Sequence, residues 1–581
     1  MPYKDLKSFL KALKAKNLLT EINVEVDPEL EITEIADRVS KAYGNALLFK
    51  KVKGSEFPLV INAMGTYERL NMGLGVDSLD EIAEQIEDYM NVSAYVTLMG
   101  KIKSIPKLAP LPFIFPRKVK SAPCQEVITE PDLNALPILK CWPQDGGKYI
   151  TLPLVFTKDP ENGQQNVGMY RLQVYDEKTT GMHWHLHKDG KEIYEKYRKL
   201  GKKMPVSVAL GCDPAIIYSA TAPLPKMIDE MIFAGYLKKK GVELVKCVTN
   251  DIYVPAHAEF ILEGYVDLEE KRLEGPFGDH TGYYSLSDMY PVFHLEKMTH
   301  KKNAIYPTTI VGKPPMEDCY LGKATERIFL PLMKIQTPEI VDMDMPLEGV
   351  FHNCAIVSLK KAFPRHANKL LYALWGLGQM MYTKMIIVVD EHVNVHDYAE
   401  VARAIQINVV DPSHLIITEG PLDALDHASN RAFQGFRLGI DASTKRPVEV
   451  NEAYKSPISV DNPLDDVQII AFKKEDGGLT VKEHLKALAD DAGHLAHYVI
   501  VVDEWIDPSA LSTVSWKVFN NIDPERDLVI SQKPDGRLFM GIDATKKGPQ
   551  DGLMRPWPDD IEMTPEVIAR VTERWKTYGI D

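Results

Sequence analysis

Residues 166–280 hold an arginine, acidic side chains and metal-ligand types within a run of short strands and turns. Asn166 and Arg171 lie in N-V-G-M-Y-R, three histidines (His183, His185, His187) in H-W-H-L-H, and Glu274 and Asp279 in L-E-G-P-F-G-D-H-T-G-Y-Y. An arginine, two carboxyl groups and a hard-cation ligand set are the inventory for polarising a carboxylate and moving a proton. These residue types make little sense as core packing, so the stretch points to an enzyme.

Each string carries its own expectation. Strand alternation in N-V-G-M-Y-R sets Asn166 on one face and Arg171 on the other unless a bulge intervenes. D-E-K-T-T-G reads as a hairpin turn, and the returning strand sets His183, His185 and His187 on one face. A bare H-x-H-x-H invites zinc, but an ordinary polar strand face explains it as well. Residues 275–278 form a turn with Glu274 and Asp279 at its two ends. Repulsion between neighbouring carboxyls then predicts one raised pKa and a proton held near neutral pH. The bland alternative has both acids capping turn amides.

The elements that must position these residues follow from periodicity. Leu6, Phe9, Leu10 and Leu13 repeat at helical spacing, as do Ile32, Ile35 and Val39, while A-L-L-F-K-K-V and F-P-L-V-I-N-A-M read as strands. A further helix starts behind Ser78. The proline-rich run S-I-P-K-L-A-P-L-P-F-I-F-P-R-K cannot continue a helix or a central strand and marks a boundary near residue 115. From about 150 to 320 short strands between turns suggest a barrel or sandwich, with helices around residues 192–202 and 226–238. Beyond 323 helix and strand alternate again.

The C-terminal part repeats itself. Residues 354–417 align with 467–530 at a constant offset of 113 without a gap, so that A-I-V-S-L-K-K faces Q-I-I-A-F-K-K and I-I-V-V-D-E faces V-I-V-V-D-E. L-G-I-D-A-S-T-K is echoed downstream by M-G-I-D-A-T-K-K. Two successive copies of one α/β domain are expected, closed by a helix over residues 565–578.

Composition narrows the function classes. With 45% hydrophobic and 26% charged residues the chain is globular, and no apolar run reaches the roughly 20 residues a membrane span needs. The N-terminus reads as a charged amphipathic helix rather than a signal peptide, so a cytoplasmic protein is expected. A net charge of −14 argues against nucleic-acid partners; the lysine-rich residues 199–203 and 238–240 read as solvated faces. Six cysteines without C-x-x-C spacing read as reduced, buried thiols.

N-V-G-M-Y-R, P-V-S-V-A-L-G-C-D-P-A, L-V-K-C-V-T-N-D-I-Y-V-P-A, L-E-G-P-F-G-D-H-T-G-Y-Y and M-Y-T-K-M-I-I-V-V-D strongly resemble the UbiD family of reversible decarboxylases. The likeness runs from the first helix to about Lys445 and resumes at the terminal helix. It implies a mixed α/β and β fold: an N-terminal α/β domain (1–115), a central split β-barrel that binds flavin (116–322), a C-terminal α/β domain (323–461), and its second copy with the terminal helix (462–581). It implies prenylated FMN with Mn²⁺ or Mg²⁺, K⁺ being a further candidate ion. By position the metal ligands are Asn166, His187 and Glu230, and the catalytic network is Arg171, Glu274 and Asp279, where the second acid is Asp rather than the family's Glu. Arg171 also counts among the cofactor contacts. Lys384 looks like the phosphate-contacting lysine, and backbone around Thr221 and Ala222 lines the flavin.

The implied reaction is decarboxylation of a hydroxylated benzoate or naphthoate, with a place in menaquinone or ubiquinone biosynthesis. The resemblance also implies a flavin prenyltransferase as cofactor supplier and a homo-oligomer, dimer or hexamer. Three alternatives stand beside it: a phenolic-acid decarboxylase or carboxylase of aromatic catabolism, a metal-dependent hydrolase using H-x-H-x-H, and a non-catalytic flavin-binding scaffold, against which Arg171, Glu274 and Asp279 argue. At the offset of 113 Lys384 corresponds to His497, so the second copy is expected to lack a flavin site.

Overall fold

The first helix, Leu6–Ala15, starts at a capping box of Asp5 and Ser8 and buries Leu6, Phe9, Leu10 and Leu13. The next, Glu31–Lys41, buries Ile32, Ile35, Ala36 and Val39, as its 3.6-residue period requires. These belong to a computed structural model that describes residues 3–90, 111–184, 189–225, 228–444, 466–475, 478–491, 493–533 and 536–580. His185, His187 and residues 104–110 of the proline-rich run lie outside the described residues. The chain divides into two units, Met1–Thr325 with Asp560–Asp581, and Glu326–Asp559.

In the first unit Leu19–Val26, Ala46–Val52 and Leu59–Ile61 form a sheet whose fourth strand, Tyr306–Pro307, arrives from far along the chain. The terminal helix Pro565–Arg574 returns to this unit, where Arg38 donates to the Ile568 carbonyl (2.9 Å) and Tyr578 to Glu31 (2.7 Å). The second sheet of this unit is antiparallel throughout. Its strands run in the order Thr179–Gly181, Asp288–His300, Phe260–Glu274, Met204–Leu210, Leu154–Lys158, Gln165–Met169, with Val127–Thr129 paired to Asp288–His300. Phe260–Glu274 and Asp288–His300 form one long ribbon, Phe260 opposite His300 and Glu274 opposite Asp288. Two register breaks in that ribbon, at residues 263–264 and 266–271, increase its twist.

The second unit contains two sheets, of five and four strands, whose order matches once the extra antiparallel edge strand Ile340–Asp344 of the first is set aside. One runs Ile340–Asp344, Cys354–Leu359, Met385–Asp390, Gln434–Asp441, Leu415–Pro421; the other runs Val467–Phe472, Tyr498–Asp503, Leu538–Asp543, Leu528–Gln532. The first three strands of the second sheet are parallel; the central one, Tyr498–Asp503, is nearly all buried and rich in Val and Ile, as strands buried on both faces are. Side-chain contacts recur with the strands. Asn408 donates to the Ala442 carbonyl (2.8 Å) and Asn521 to that of Ala544 (2.9 Å). Asp441 accepts from the Ser443 hydroxyl (2.5 Å) and Asp543 from that of Thr545 (2.6 Å). The alignment without a gap needs one correction. Leu415 and Leu528 open equivalent strands 113 apart, but the capping residues Asp411 and Asp523 lie 112 apart, so one residue is gained in the intervening turn. Ile356, Ile387 and Leu438 of the first sheet share one core with Val502, Met540 and Ile542 of the second.

All six cysteines are free and buried. Among the described residues no helix is long and apolar enough to cross a membrane.

Candidate active site

Residues 275–287 close the end of the long ribbon, and the chain there is held from several sides. Gly275, at φ 102°, donates its N–H to Gln173 Oε1 (2.8 Å); a side chain at that φ would be strained. Gly146 donates to the Pro276 carbonyl (2.8 Å), and Tyr149 Oη reaches the same oxygen (3.2 Å). A Cβ on Gly146 would lie 2.3 Å from the Gly275 carbonyl oxygen, so only glycine permits this approach. Asp145 accepts from Gly278 N–H through Oδ1 (2.8 Å) and from Trp142 N–H through Oδ2 (2.9 Å), and the Trp142 indole donates to the Val311 carbonyl (2.9 Å). The string W-P-Q-D-G-G thus grips the turn that carries Glu274 and Asp279.

Arg171 sits between the two acids. Its Nε donates to Glu274 Oε1 at 2.9 Å, Nη1 donates to Asp279 Oδ2, and Nη2 donates to Ser285 Oγ at 3.1 Å. Below the guanidinium lies the Phe277 ring, its centroid 4.5 Å away. The side chains are 10% (Arg171), 1% (Glu274) and 10% (Asp279) exposed, so the charges interact with little solvent between them. Chain direction explains how Arg171 gets there. The strand Gln165–Met169 ends before Tyr170, and Tyr170 folds its ring across Gly168, where a Cβ would meet the phenol oxygen at 2.3 Å. Arg171 is therefore released from the strand's alternation.

The expected raised pKa in the acid pair is not found. Burial pushes both carboxyls up, but Arg171 outweighs it, with help from His183 on Glu274 and from His280 on Asp279, and both lie below their usual values. The reason is the guanidinium between them: each acid faces a cation before it faces the other. Two buried acids near the network do rise: Asp145 is pushed up to about 7 by burial against its backbone donors and Arg171, and Asp318 up to about 6 by burial.

The expected histidine strand is corrected at His183, the one of the three within the described residues. The strand Thr179–Gly181 ends two residues before His183. His183 turns its Nδ1 to Glu274 Oε2 and stacks on Tyr290, centroids 4.3 Å apart at 28°. Both carboxylate oxygens of Glu274 are thus engaged, one by Arg171 and one by His183. Sequence reasoning offered His183 as a metal-ligand candidate rather than a partner of Glu274, and missed Asp145 and Ser285 as site residues. The glycine pair after Asp145 was the available signal, since adjacent glycines mark a close backbone approach.

Asn166, in Gln165–Met169, lies opposite Thr157 across the sheet. Its amide oxygen faces Glu230 Oε1 at 3.2 Å, two acceptors without a proton between them unless the amide is turned over. Turned over, the amide donates to Glu230 Oε1 and accepts from Val167 N–H (3.3 Å); an amide and a carboxylate here would suit a hard cation such as Mn²⁺ or Mg²⁺. Glu230 opens the helix Glu230–Lys238, whose first amides are capped by Asp229 (2.7 and 3.1 Å). His187, the third expected ligand, lies outside the described residues. Thr221 and Ala222 form the turn after the helix Pro214–Ser219, both N–H groups donating to the Tyr218 carbonyl (2.9 and 3.1 Å).

Lys384 is in the second unit. Its ammonium lies 2.5 Å from Asp426 Oδ2 and donates to the Asn520 carbonyl at 3.2 Å, and the lysine and aspartate side chains are 1% and 2% exposed. A phosphate contact from Lys384 would leave Asp426 as an unpaired buried charge.

Three family models cover most of the chain: the carboxy-lyase N-terminal domain over residues 10–88, the Rift-related domain over 117–314, and the C-terminal domain over 319–442 and 465–539, all of 3-octaprenyl-4-hydroxybenzoate carboxy-lyase (UbiD). An uncharacterised protein of Archaeoglobus fulgidus is 49% identical over 448 residues, 77% of this chain and 92% of that protein. The UbiD-class enzyme HmfF from Pelotomaculum thermopropionicum, solved with FMN, superposes at a TM-score of 0.67 with 26% identity, covering 78% of this chain and 98% of that one. An evolved dimeric form of HmfF was solved with prFMN. The vanillic acid decarboxylase of Sedimentibacter hydroxybenzoicus in closed form superposes at 0.68 with 27% identity, covering 79% and 96%.

Proposed function

Because the chain belongs to the UbiD family of carboxy-lyases, we propose that it decarboxylates a hydroxylated aromatic acid with prenylated FMN and a divalent metal. Bound in the site, the modified flavin supplies the electron sink that no side chain offers an aryl carbon. Asn166 and Glu230, with His187, hold the metal, and the turn at Thr221 and Ala222 lines the flavin. We read the seven-stranded antiparallel sheet as the split barrel and the two like-ordered sheets as two copies of the C-terminal domain. Lys384 is left out of the cofactor set, because Asp426 holds its charge.

In this reading Arg171 receives the substrate carboxylate, a bidentate match for its fork of donors. Its hold on Asp279 then loosens. Burial, the largest influence on Asp279, is no longer outweighed, and the acid takes up a proton. Loss of CO₂ leaves the bonding pair at the ring carbon, and Asp279 gives its proton to that carbon and returns as a carboxylate. Glu274 keeps Arg171 aimed through Nε. The observation that carries the reading is one guanidinium shared by two buried acids at the closed end of a β-ribbon.

Vanillic acid decarboxylase, at 27% identity, supports a phenolic acid as substrate class. The strings G-M-Y-R-L-Q-V-Y-D-E-K-T-T-G-M-H-W-H and W-P-Q-D-G-G favour a quinone precursor within it. The hydrolase alternative loses support, since His183 is turned to Glu274. The test is CO₂ release from a panel of hydroxybenzoates and hydroxynaphthoates by protein produced with a flavin prenyltransferase. Arg171→Ala and Glu274→Gln should each lose about two to three powers of ten; near-wild-type turnover in both ends the assignment.

A further inference from the structure

The imidazole of His183 is buried, is used by no step above, and touches a residue the proposed reaction depends on. Its backbone is fixed on both sides. Met182 N–H donates to the Pro291 carbonyl (2.9 Å), Trp184 N–H donates to the Met182 carbonyl (2.9 Å), and the buried Trp184 indole packs on Tyr194, centroids 5.6 Å apart. The ring itself lies on Tyr290, two residues beyond the Asp288 that pairs with Glu274. One edge faces Glu274 Oε2 through Nδ1. Gly181, beside it, has Glu274 Cγ 3.4 Å from where its Cβ would stand, so the carboxylate stem runs close against the chain that presents His183.

We propose that His183 is a positioning residue of the acid network, donating from Nδ1–H to Glu274 so that the other carboxylate oxygen is presented to Arg171 Nε. This rests on the decarboxylase reading and deepens it. A carboxylate held at one oxygen can rotate about its last bond; held at both, in a dry pocket, it cannot. Glu274 then sets the plane of the guanidinium, which aims Nη1 at Asp279 and Nη2 at Ser285. Among the described residues Arg171, Glu274, Asp279 and the phenol of Tyr290 face His183. Burial and the Arg171 charge disfavour imidazolium, so the ring is neutral, its single proton lies on Nδ1, and His183 holds Glu274 as a donor without adding a charge.

Two substitutions separate this role from packing. His183→Phe keeps an aromatic ring over Tyr290 and removes the donor; His183→Asn sets an amide N–H where Nδ1 stood. In His183→Phe, Glu274 loses a donor to its charged form, so its pKa rises and the acid limb of kcat/KM moves to higher pH by about one unit, with kcat down roughly 10- to 100-fold and KM little changed. His183→Asn should return the limb and most of kcat. Equal loss in both variants, or an acid limb that does not move, overturns the proposal. A readout without cofactor is available in the ¹⁵N-histidine-labelled apo protein, His183 being assigned from the resonance that His183→Asn removes. A proton on Nδ1 at neutral pH is expected, and a proton on Nε2 overturns it. If Arg171→Ala and Glu274→Gln keep full turnover the decarboxylase reading fails; if they lose it while His183→Phe does not, only the inference fails.

Discussion

Arg171→Gln removes one charge from a cluster of three and leaves two carboxylates side by side, nearly shut from solvent. Taking one partner from a buried ion pair costs about 3–5 kcal/mol. For a unit of about 350 residues, unfolding entropy of roughly 2 cal/mol/K per residue turns that into a Tm lower by about 4–7 °C. The pH dependence is the sharper test. In the wild type both acids are depressed, so their contribution is present above the ordinary carboxylate pKa of about 4 and lost only as pH falls through the lower folded values. In the variant burial, the largest influence on each acid, outweighs what His183 and His280 still supply, and both are raised. Their contribution is then present below about pH 4 and lost as pH rises through the raised folded values, at about 1.4 kcal/mol for each pH unit between the unfolded and folded pKa. The Tm gap between wild type and variant should therefore widen from pH 5 to pH 8 in the apo protein, read by differential scanning calorimetry. A gap constant across that window would refute the claim that Arg171 holds both acids ionised.

Asp145→Asn tests the grip on the turn. The raised pKa of about 7 means the wild-type contribution is full below the unfolded value near 4 and is lost as pH rises through 7, so the variant should lose that slope in stability between about pH 4 and 7; an unchanged slope refutes it. Gly146→Ala forces a Cβ against the Gly275 carbonyl, and activity should fall at least tenfold, roughly what a misplaced acid produces, in protein whose helix content by circular dichroism is unchanged. Lys384→Met strands the Asp426 charge and should destabilise the second unit by about 3–5 kcal/mol. Flavin content after reconstitution should be unaltered in that variant; loss of flavin from an otherwise stable Lys384→Met protein would restore the phosphate role to the lysine.

Much of the scaffold was legible because it is written locally. The apolar period of Leu6, Phe9, Leu10 and Leu13 gives the first helix and the run A-L-L-F-K-K-V gives the strand Ala46–Val52, since burial of one helical face or one sheet depends on near neighbours. Segments 113 residues apart form strands, Cys354–Leu359 with Val467–Phe472 and Met385–Asp390 with Tyr498–Asp503, because similar apolar runs favour the same local structure. The turn after Asn408 escaped this logic. One extra residue there is accommodated in a surface connection without disturbing the strands on either side.

The sequence by itself determined which chemical groups are available and which short segments carry them: Asn166 and Arg171 in one strand, Glu274 and Asp279 on one turn, and Glu230 in a helix. Only the tertiary structure decided how their charges are shared. Arg171 and Glu274 are 103 residues apart, and sheet register together with the approach of residues 142–147 sets which oxygen meets which nitrogen. That arrangement turned the expected raised acid into two depressed ones and moved the high pKa to Asp145. It also turned His183 to Glu274, and paired Lys384 with Asp426. Protonation follows the field of neighbours in space, and spacing along the chain does not encode that field.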